Sequence, residues 1–270
     1  MAQDRHVSAL VPRPILATLD HADPSWHVDL LGGLQAVADA DAGYLDTLAQ
    51  EHYLPTRGRL LAAFAQPFDA VRYVLIGEGP YPREASATGL CFMDGAVAGL
   101  WSDNGLSKPV NRATSLRNFI KMLLVAEGAL QPDATTGGAM ATIGAQAQAM
   151  GSGRVQTLAV LQNNLIRQGF LLLNASLVFR TTVTPARDAQ AWLPFLKTVL
   201  LALVERSTNP PVLVLWGKIA GQINALEGIE RLPRIVAEHP YNLSFIRNRT
   251  MHEFFLPMAL LQQEPPIQKS

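Results

Sequence analysis

The sequence holds one cysteine, Cys91, among 270 residues. That scarcity excludes an internal disulfide framework, an all-cysteine iron–sulfur cluster and a zinc ribbon, each of which draws several thiolates from one chain. A reducing cytoplasm is then the default compartment. Net charge is also missing: 22 Lys+Arg stand against 22 Asp+Glu. No overall positive field draws such a chain to nucleic acid or to an anionic membrane, so any nucleic-acid contact has to come from a local patch. No apolar run approaches the roughly 18 residues of a membrane span. Met1 to Ser25 scatters Asp4, Arg5, His6, Pro12, Pro14 and Asp20 through its apolar stretches, unlike the continuous apolar region of a secretion signal. Charged residues reach only 16%, whereas hydrophobic residues make up 49%. That balance excludes a disordered chain and is ample for a packed core. The length fits one large α/β domain as well as two small ones.

Residues 1–24 are proline-rich and aperiodic, and 264–270 is polar with two prolines, so both ends are expected to be loosely ordered. Leu130 to Arg154 is dominated by Ala, Gly, Thr, Gln and Met, with Gly137-Gly138 and Gly151-Ser152-Gly153 as breakers. It reads as a surface excursion with a weak helix. Four short apolar runs, Val71 to Ile76, Phe170 to Leu173, Val212 to Leu215 and Arg234 to Ala237, read as buried strands. Helical stretches, among them Ser115 to Glu127, Ala191 to Arg206 and Lys218 to Leu226, separate them. Strand and helix in alternation predict an α/β fold of three layers, α/β/α, around a central, mainly parallel four-stranded sheet.

In such sheets ligands bind beyond the carboxyl ends of the strands, so the residues just after each strand are informative. The four segments are Gly77-Glu78-Gly79-Pro80-Tyr81-Pro82, Asn174-Ala175-Ser176, Trp216-Gly217-Lys218 and His239-Pro240-Tyr241-Asn242-Leu243-Ser244. Taken singly each has an ordinary reading: a strand-to-helix turn, an Asx turn, a loop histidine. Phe92, beside Leu90 and Cys91, would by default be core. Leu243 is different, because a lone apolar residue between Asn242 and Ser244 has no core role. Taken together the residues suit a planar polar ring. An Asn amide offers a donor beside an acceptor, which matches the N3–H and O4 edge of uracil and mismatches cytosine. Phe92 would stack on the ring, Tyr81 would exclude a methyl at carbon 5, and His239 would donate to O2 as charge gathers there. Leu243 would enter the duplex as a wedge that keeps the base out of the stack. Asn174, Phe92, Tyr81 and His239 are thus expected to line one small cavity.

These residues resemble the uracil-DNA glycosylases of the family 1 type. The family's first motif, GQDPYHGPGQAHGLAF, aligns without a gap on Gly77 to Phe92, here GEGPYPREASATGLCF. Its PPSLKN resembles Ala113 to Asn118, its LLLN Leu171 to Asn174, its LLWGS Val214 to Lys218 and its HPSPLS His239 to Ser244. The likeness runs through residues 25–258 in family order. It implies a single glycosylase-like domain over 25–263 that acts as a monomer on uracil-containing DNA, with the base flipped out, and needs neither metal nor cofactor. It gives Asn174 the base edge, Phe92 the stacking, Tyr81 the methyl exclusion, His239 the O2 contact and Leu243 the wedge. Ser115, Gly217 and Ser244 fall where the family pinches DNA phosphates through hydroxyls and backbone N–H groups.

The departures are as specific. Where the family has the Asp that orients the attacking water and stabilises the sugar cation, this chain has Gly79. Pro82 replaces the motif His, Lys218 the Ser of LLWGS, and Tyr241-Asn242 the Ser-Pro before the wedge. Other branches of the superfamily carry Gly-Glu-Ala-Pro-Gly here, which makes Glu78 the first candidate substitute. Backbone carbonyls near Gly79 and Pro80 are the other source of a positioned water. Glu84 and Asp94 read as solvated loop charges. Two functional readings stand: a slow glycosylase that hydrolyses the N-glycosidic bond of uracil in DNA, or an inactive homologue that binds DNA, a flipped base or a protein partner. A third, weaker one keeps the enzyme and changes the base or the nucleic acid. Arg112, Arg117, Lys121, Lys218, Arg247 and Arg249 are expected to form the DNA-facing patch.

Overall fold

The computed structural model describes residues 11–206 and 209–264. The expectations for residues 1–10 and 265–270 lie outside the described residues. The strands are β1 (Tyr73–Gly77), β2 (Trp101–Ser102), β3 (Gly105–Leu106), β4 (Phe170–Asn174), β5 (Val212–Trp216) and β6 (Arg234–Ala237). A central four-stranded parallel sheet of order β4-β1-β5-β6 has helices on both sides. In its middle, β1 and β5 run parallel from Tyr73 opposite Val212 to Ile76 opposite Leu215. Successive residues of a strand face opposite sides, and here both sides are buried: Val74, Leu75 and Ile76 in β1, and all five residues of β4. That explains why the runs of β1, β4 and β5 are continuously apolar instead of alternating. The expectation of a buried strand is corrected for β6, which lies at the edge of the sheet and buries only Ala237, with Val236 exposed.

The described residues divide into two compact units, one of residues 11–91, 171–206, 209–215 and 219–235, the other of residues 92–170, 216–218 and 236–264. In the first unit, Val74, Ile76, Leu171, Leu173, Leu213 and Leu215 share a core with Trp26, Leu30, Leu34, Trp192 and Phe195. These aromatic and leucine side chains come from the 3-10 turn Pro24–Trp26 and the helices His27–Ala40 and Pro185–Arg206, which pack against each other. Residues 11–24 differ from the sequence expectation. They form the helix Arg13–Leu16 and the 3-10 turns Ala17–His21 and Pro24–Trp26, with Val11, Ile15 and Ala22 buried. The prolines of this stretch sit at helix starts, where a missing N–H costs nothing.

In the second unit, the excursion is more structured than its composition suggests. Helix Gly137–Gln148 buries Met140, Ile143 and Ala147 and packs on the hairpin of β2 and β3. A Cβ on Gly144 would lie 2.3 Å from the Ser102 carbonyl oxygen, so only glycine permits that approach. The same unit contains the helices Thr114–Ala126 and Arg249–Phe255, which pack together. Among the described residues no helix is long and apolar enough to cross a membrane.

Candidate active site

The first unit carries Glu78, Gly79, Tyr81 and Asn174 on neighbouring strand ends. Past the end of the strands the ladder continues: Ala175 N–H donates to the Gly77 carbonyl at 2.8 Å and Ser176 N–H to the Glu78 carbonyl at 3.0 Å. These bonds tie the 78–81 loop to the segment after β4. Asn174 is 2% exposed, and its Oδ1 is buried with no hydrogen-bond partner among the described residues. A Cβ on Gly77 would lie 3.0 Å from that Oδ1 and 2.8 Å from Cys91 Cβ, so the glycine makes room for the amide. Cys91 is a packing group here. Its Sγ–H donates to the Leu75 carbonyl at 3.2 Å, and burial pushes its thiol pKa up, away from reactivity.

The segment from Asn174 is also held at its far end. Leu54 and Phe179 exchange backbone hydrogen bonds at 2.9 Å. Arg180 donates to Asp188 at 2.5 Å and to Glu51 at 2.7 Å, and the Tyr44 hydroxyl donates to Asp188 at 2.7 Å. Burial, with the Asp188 carboxylate beside it, pushes the Tyr44 phenol up, so it stays a donor. Sequence reasoning missed this network, whose members lie far apart in the chain. The only local signal was an Arg six residues after Asn174. Glu78 and Gly79 are exposed and Tyr81 is half-buried.

The second unit carries Phe92, Ser115, Gly217, Lys218, His239, Leu243 and Ser244. Phe92 has φ +66, a conformation that costs a bulky residue energy. Edge-on contacts to Phe119, at 5.4 Å, and Trp216, at 5.3 Å, hold its half-buried ring. Directly after Trp216, Gly217 has φ +71, and a Cβ there would lie 2.8 Å from His239 Cβ. His239 Nδ1 accepts from Tyr241 N–H at 3.1 Å. That bond places the proton of the neutral ring on Nε2, leaving Nε2–H as the donor. Asn118, fully buried, donates to the Pro240 carbonyl at 2.7 Å and to the Tyr241 carbonyl at 3.3 Å. It clamps the histidine loop to helix Thr114–Ala126, whose second residue is Ser115. The motif contained Asn118, yet spacing alone gave it no role.

Beyond the clamp, Tyr241 and Leu243 are 68% and 70% exposed, while Phe245 and Ile246 anchor the 3-10 turn Leu243–Arg247. Leu243 is therefore presented at the surface. Ser244, Lys218, Arg112, Arg247 and Arg249 are exposed. Two expectations are corrected. Lys121 is 8% exposed, and burial, with Arg117 nearby, lowers its pKa, so it is not part of an open basic patch. Asp94 is 4% exposed and accepts from Ala96 N–H at 2.9 Å, which makes it a turn-closing residue. Among the described residues no group of three or more His, Cys, Asp or Glu could hold a metal ion.

This geometry makes Gly217→Ala a damaging variant. It forces a left-handed backbone on an L residue, at about 1 to 2 kcal/mol, and pushes on the His239 side chain. Base excision is expected to fall roughly tenfold, the equivalent of about 1.4 kcal/mol in the barrier. A single-turnover rate equal to the parent's would contradict the placement of His239 behind this glycine.

No family model matches the chain. Curated proteins do. The uracil-DNA glycosylase of Corynebacterium glutamicum is 31% identical over 218 residues, 79% of either chain. Uracil-DNA glycosylase 1 of Streptomyces avermitilis is 31% identical over 235 residues, 87% of this chain and 86% of the other. Among solved structures, the wild-type UNG of Nitratifractor salsuginis superposes with a TM-score of 0.83 at 39% identity, over 94% of this chain and 100% of that one. Sequence, fold and relatives agree: the chain belongs to the uracil-DNA glycosylases.

Proposed function

We propose that the chain excises uracil from DNA by hydrolysing the N-glycosidic bond, and that it does so slowly because Gly79 stands where the family has Asp. One observation carries this reading: the buried Asn174 Oδ1 has no partner among the described residues. Buried polar groups are almost always hydrogen-bonded, so an orphaned acceptor on a pinned strand end is suited to a donor from outside. The N3–H of uracil is such a donor, with the Asn174 amide N–H left for O4.

On this reading Phe92 stacks on the base and Tyr81 excludes a methyl at carbon 5. His239, with its proton on Nε2, donates to O2 as the pair of the breaking C1′–N1 bond moves into the ring. One preorganised donor of this kind is worth about 3 to 4 kcal/mol. Glu78 supplies the negative charge that stabilises the sugar cation in place of the missing Asp. Leu243 holds the gap in the duplex, and Ser115, Gly217, Lys218 and Ser244 bind phosphates. Residues 25–263 then act as one glycosylase domain, a monomer in the cytoplasm whose partner is DNA.

The test is incubation with a uracil-containing oligonucleotide under single-turnover conditions, followed by alkali. Strand breakage that His239→Ala removes supports the proposal. No breakage from the parent, with breakage from Gly79→Asp, favours a DNA-binding homologue instead. The exposed cations Arg112, Lys218, Arg247 and Arg249 yield a second expected outcome. If all four contact phosphates of a duplex, log affinity falls with log salt at a slope of about −3.6. An affinity unchanged between low and moderate salt would show that these cations do not contact phosphate.

A further inference from the structure

We propose that Gly79 is a working part of the site: without a side chain there, the Ser176 carbonyl oxygen is open to the hydrolytic water and takes over its orientation. The inference rests on the excision reading and assigns the water-holding half of the missing Asp's work, leaving charge stabilisation to Glu78.

Four observations meet at this carbonyl. A Cβ added to Gly79 would lie 3.6 Å from the Ser176 carbonyl oxygen and 3.5 Å from Ser176 Cβ, with no other residue beyond its chain neighbours that close among those described. The other polar groups of Ser176 are committed, its N–H to the Glu78 carbonyl at 3.0 Å and its hydroxyl to the Val178 carbonyl at 2.9 Å. Among the described residues no backbone group donates to the Ser176 carbonyl itself. Ser176 is 4% exposed whereas Gly79 is exposed, so the glycine side is the natural approach to that oxygen. A buried carbonyl needs a donor as much as a buried side chain does, and water is the donor small enough to reach it. The acceptor is also preorganised, since the segment is fixed by the ladder at Ala175 and Ser176 and by Arg180 beyond.

The carbonyl takes one O–H of the water and so aims an oxygen lone pair at C1′. The C1′–N1 bond breaks with its pair leaving on uracil, the water oxygen bonds to C1′, and the oxonium so formed loses its second proton to solvent. No side-chain base is needed once the sugar cation has formed, which fits a slow, dissociative reaction. A side chain at position 79 that supplies no carboxylate would cover the acceptor and give nothing back.

That makes Gly79→Ala the informative variant. Its methyl meets Ser176 only at ordinary contact distance, and Gly79 is not among the glycines with positive φ, so folding is expected to be unchanged. The expected result is a kcat at least roughly tenfold below the parent's with KM and Tm unchanged, and recovery beyond the parent in Gly79→Asp. If the parent cleaves uracil DNA and Gly79→Ala equals it, the carbonyl does not hold the water and the inference falls while the excision reading stands. If the parent does not cleave, the excision reading fails and takes the inference with it.

Discussion

Asn174→Ala is expected to lower the single-turnover rate of uracil excision by about a thousandfold or more, without lowering Tm. Sites built to hydrogen-bond a substrate's polar edge owe it several kcal/mol, because the partner groups are otherwise left unpaired. The amide has little to do inside the folded protein: its Oδ1 is buried and unpartnered among the described residues. Removing an orphaned acceptor relieves a desolvation cost, so stability is expected to hold or rise slightly. Loss of rate together with loss of Tm would instead make Asn174 a structural residue. The paired measurement, rate beside thermal midpoint, separates the two.

Gly79→Asp is expected to work in the opposite direction, raising the rate about a hundredfold. The backbone there accepts an L side chain, and the added Cβ would meet Ser176 at 3.5 and 3.6 Å, ordinary contact distances. A carboxylate at this position adds an opposite charge beside a developing sugar cation, which a preorganised site converts into about 3 kcal/mol of barrier. A rate unchanged from the parent would mean that the rest of the site has drifted away from the chemistry. The two variants are complementary, one removing recognition and the other restoring charge.

How much of the fold and site was legible in the sequence depended on range. The strands β1, β4 and β5 were legible because burial on both faces leaves an unbroken apolar run, as in Leu171 to Leu173. Their ends were legible because Gly77, Asn174, Gly217 and His239 stop the apolar pattern with residues that turn a chain or bind. Contacts between distant residues set the features that stayed hidden. Pro12 and Pro14 make their stretch proline-rich and aperiodic in sequence, yet they open a helix whose Ile15 is buried by distant parts of the chain. The hairpin of β2 and β3 is too short to show a period, and the helix Gly137–Gln148 is too poor in large apolar residues to stand out before it packs on it. Lys121 sits among apolar helix residues and could be read as a surface cation until its burial was seen. The site's supports, Asn118 beneath the histidine loop and Arg180 behind Asn174, act through pairings more than a hundred residues apart or through a buried carboxylate. Neither leaves a mark in a linear motif.

Detachment of uracil from DNA is the central chemical claim, and chromatographic detection of the free base tests it without reference to any variant. The protein is incubated in excess over a duplex oligonucleotide carrying one uracil, beside matched duplexes carrying cytosine or thymine at that position. Uracil released from the first, with neither cytosine nor thymine released from the controls, is the predicted result. Tight binding of the uracil duplex with no free base at any time would contradict it.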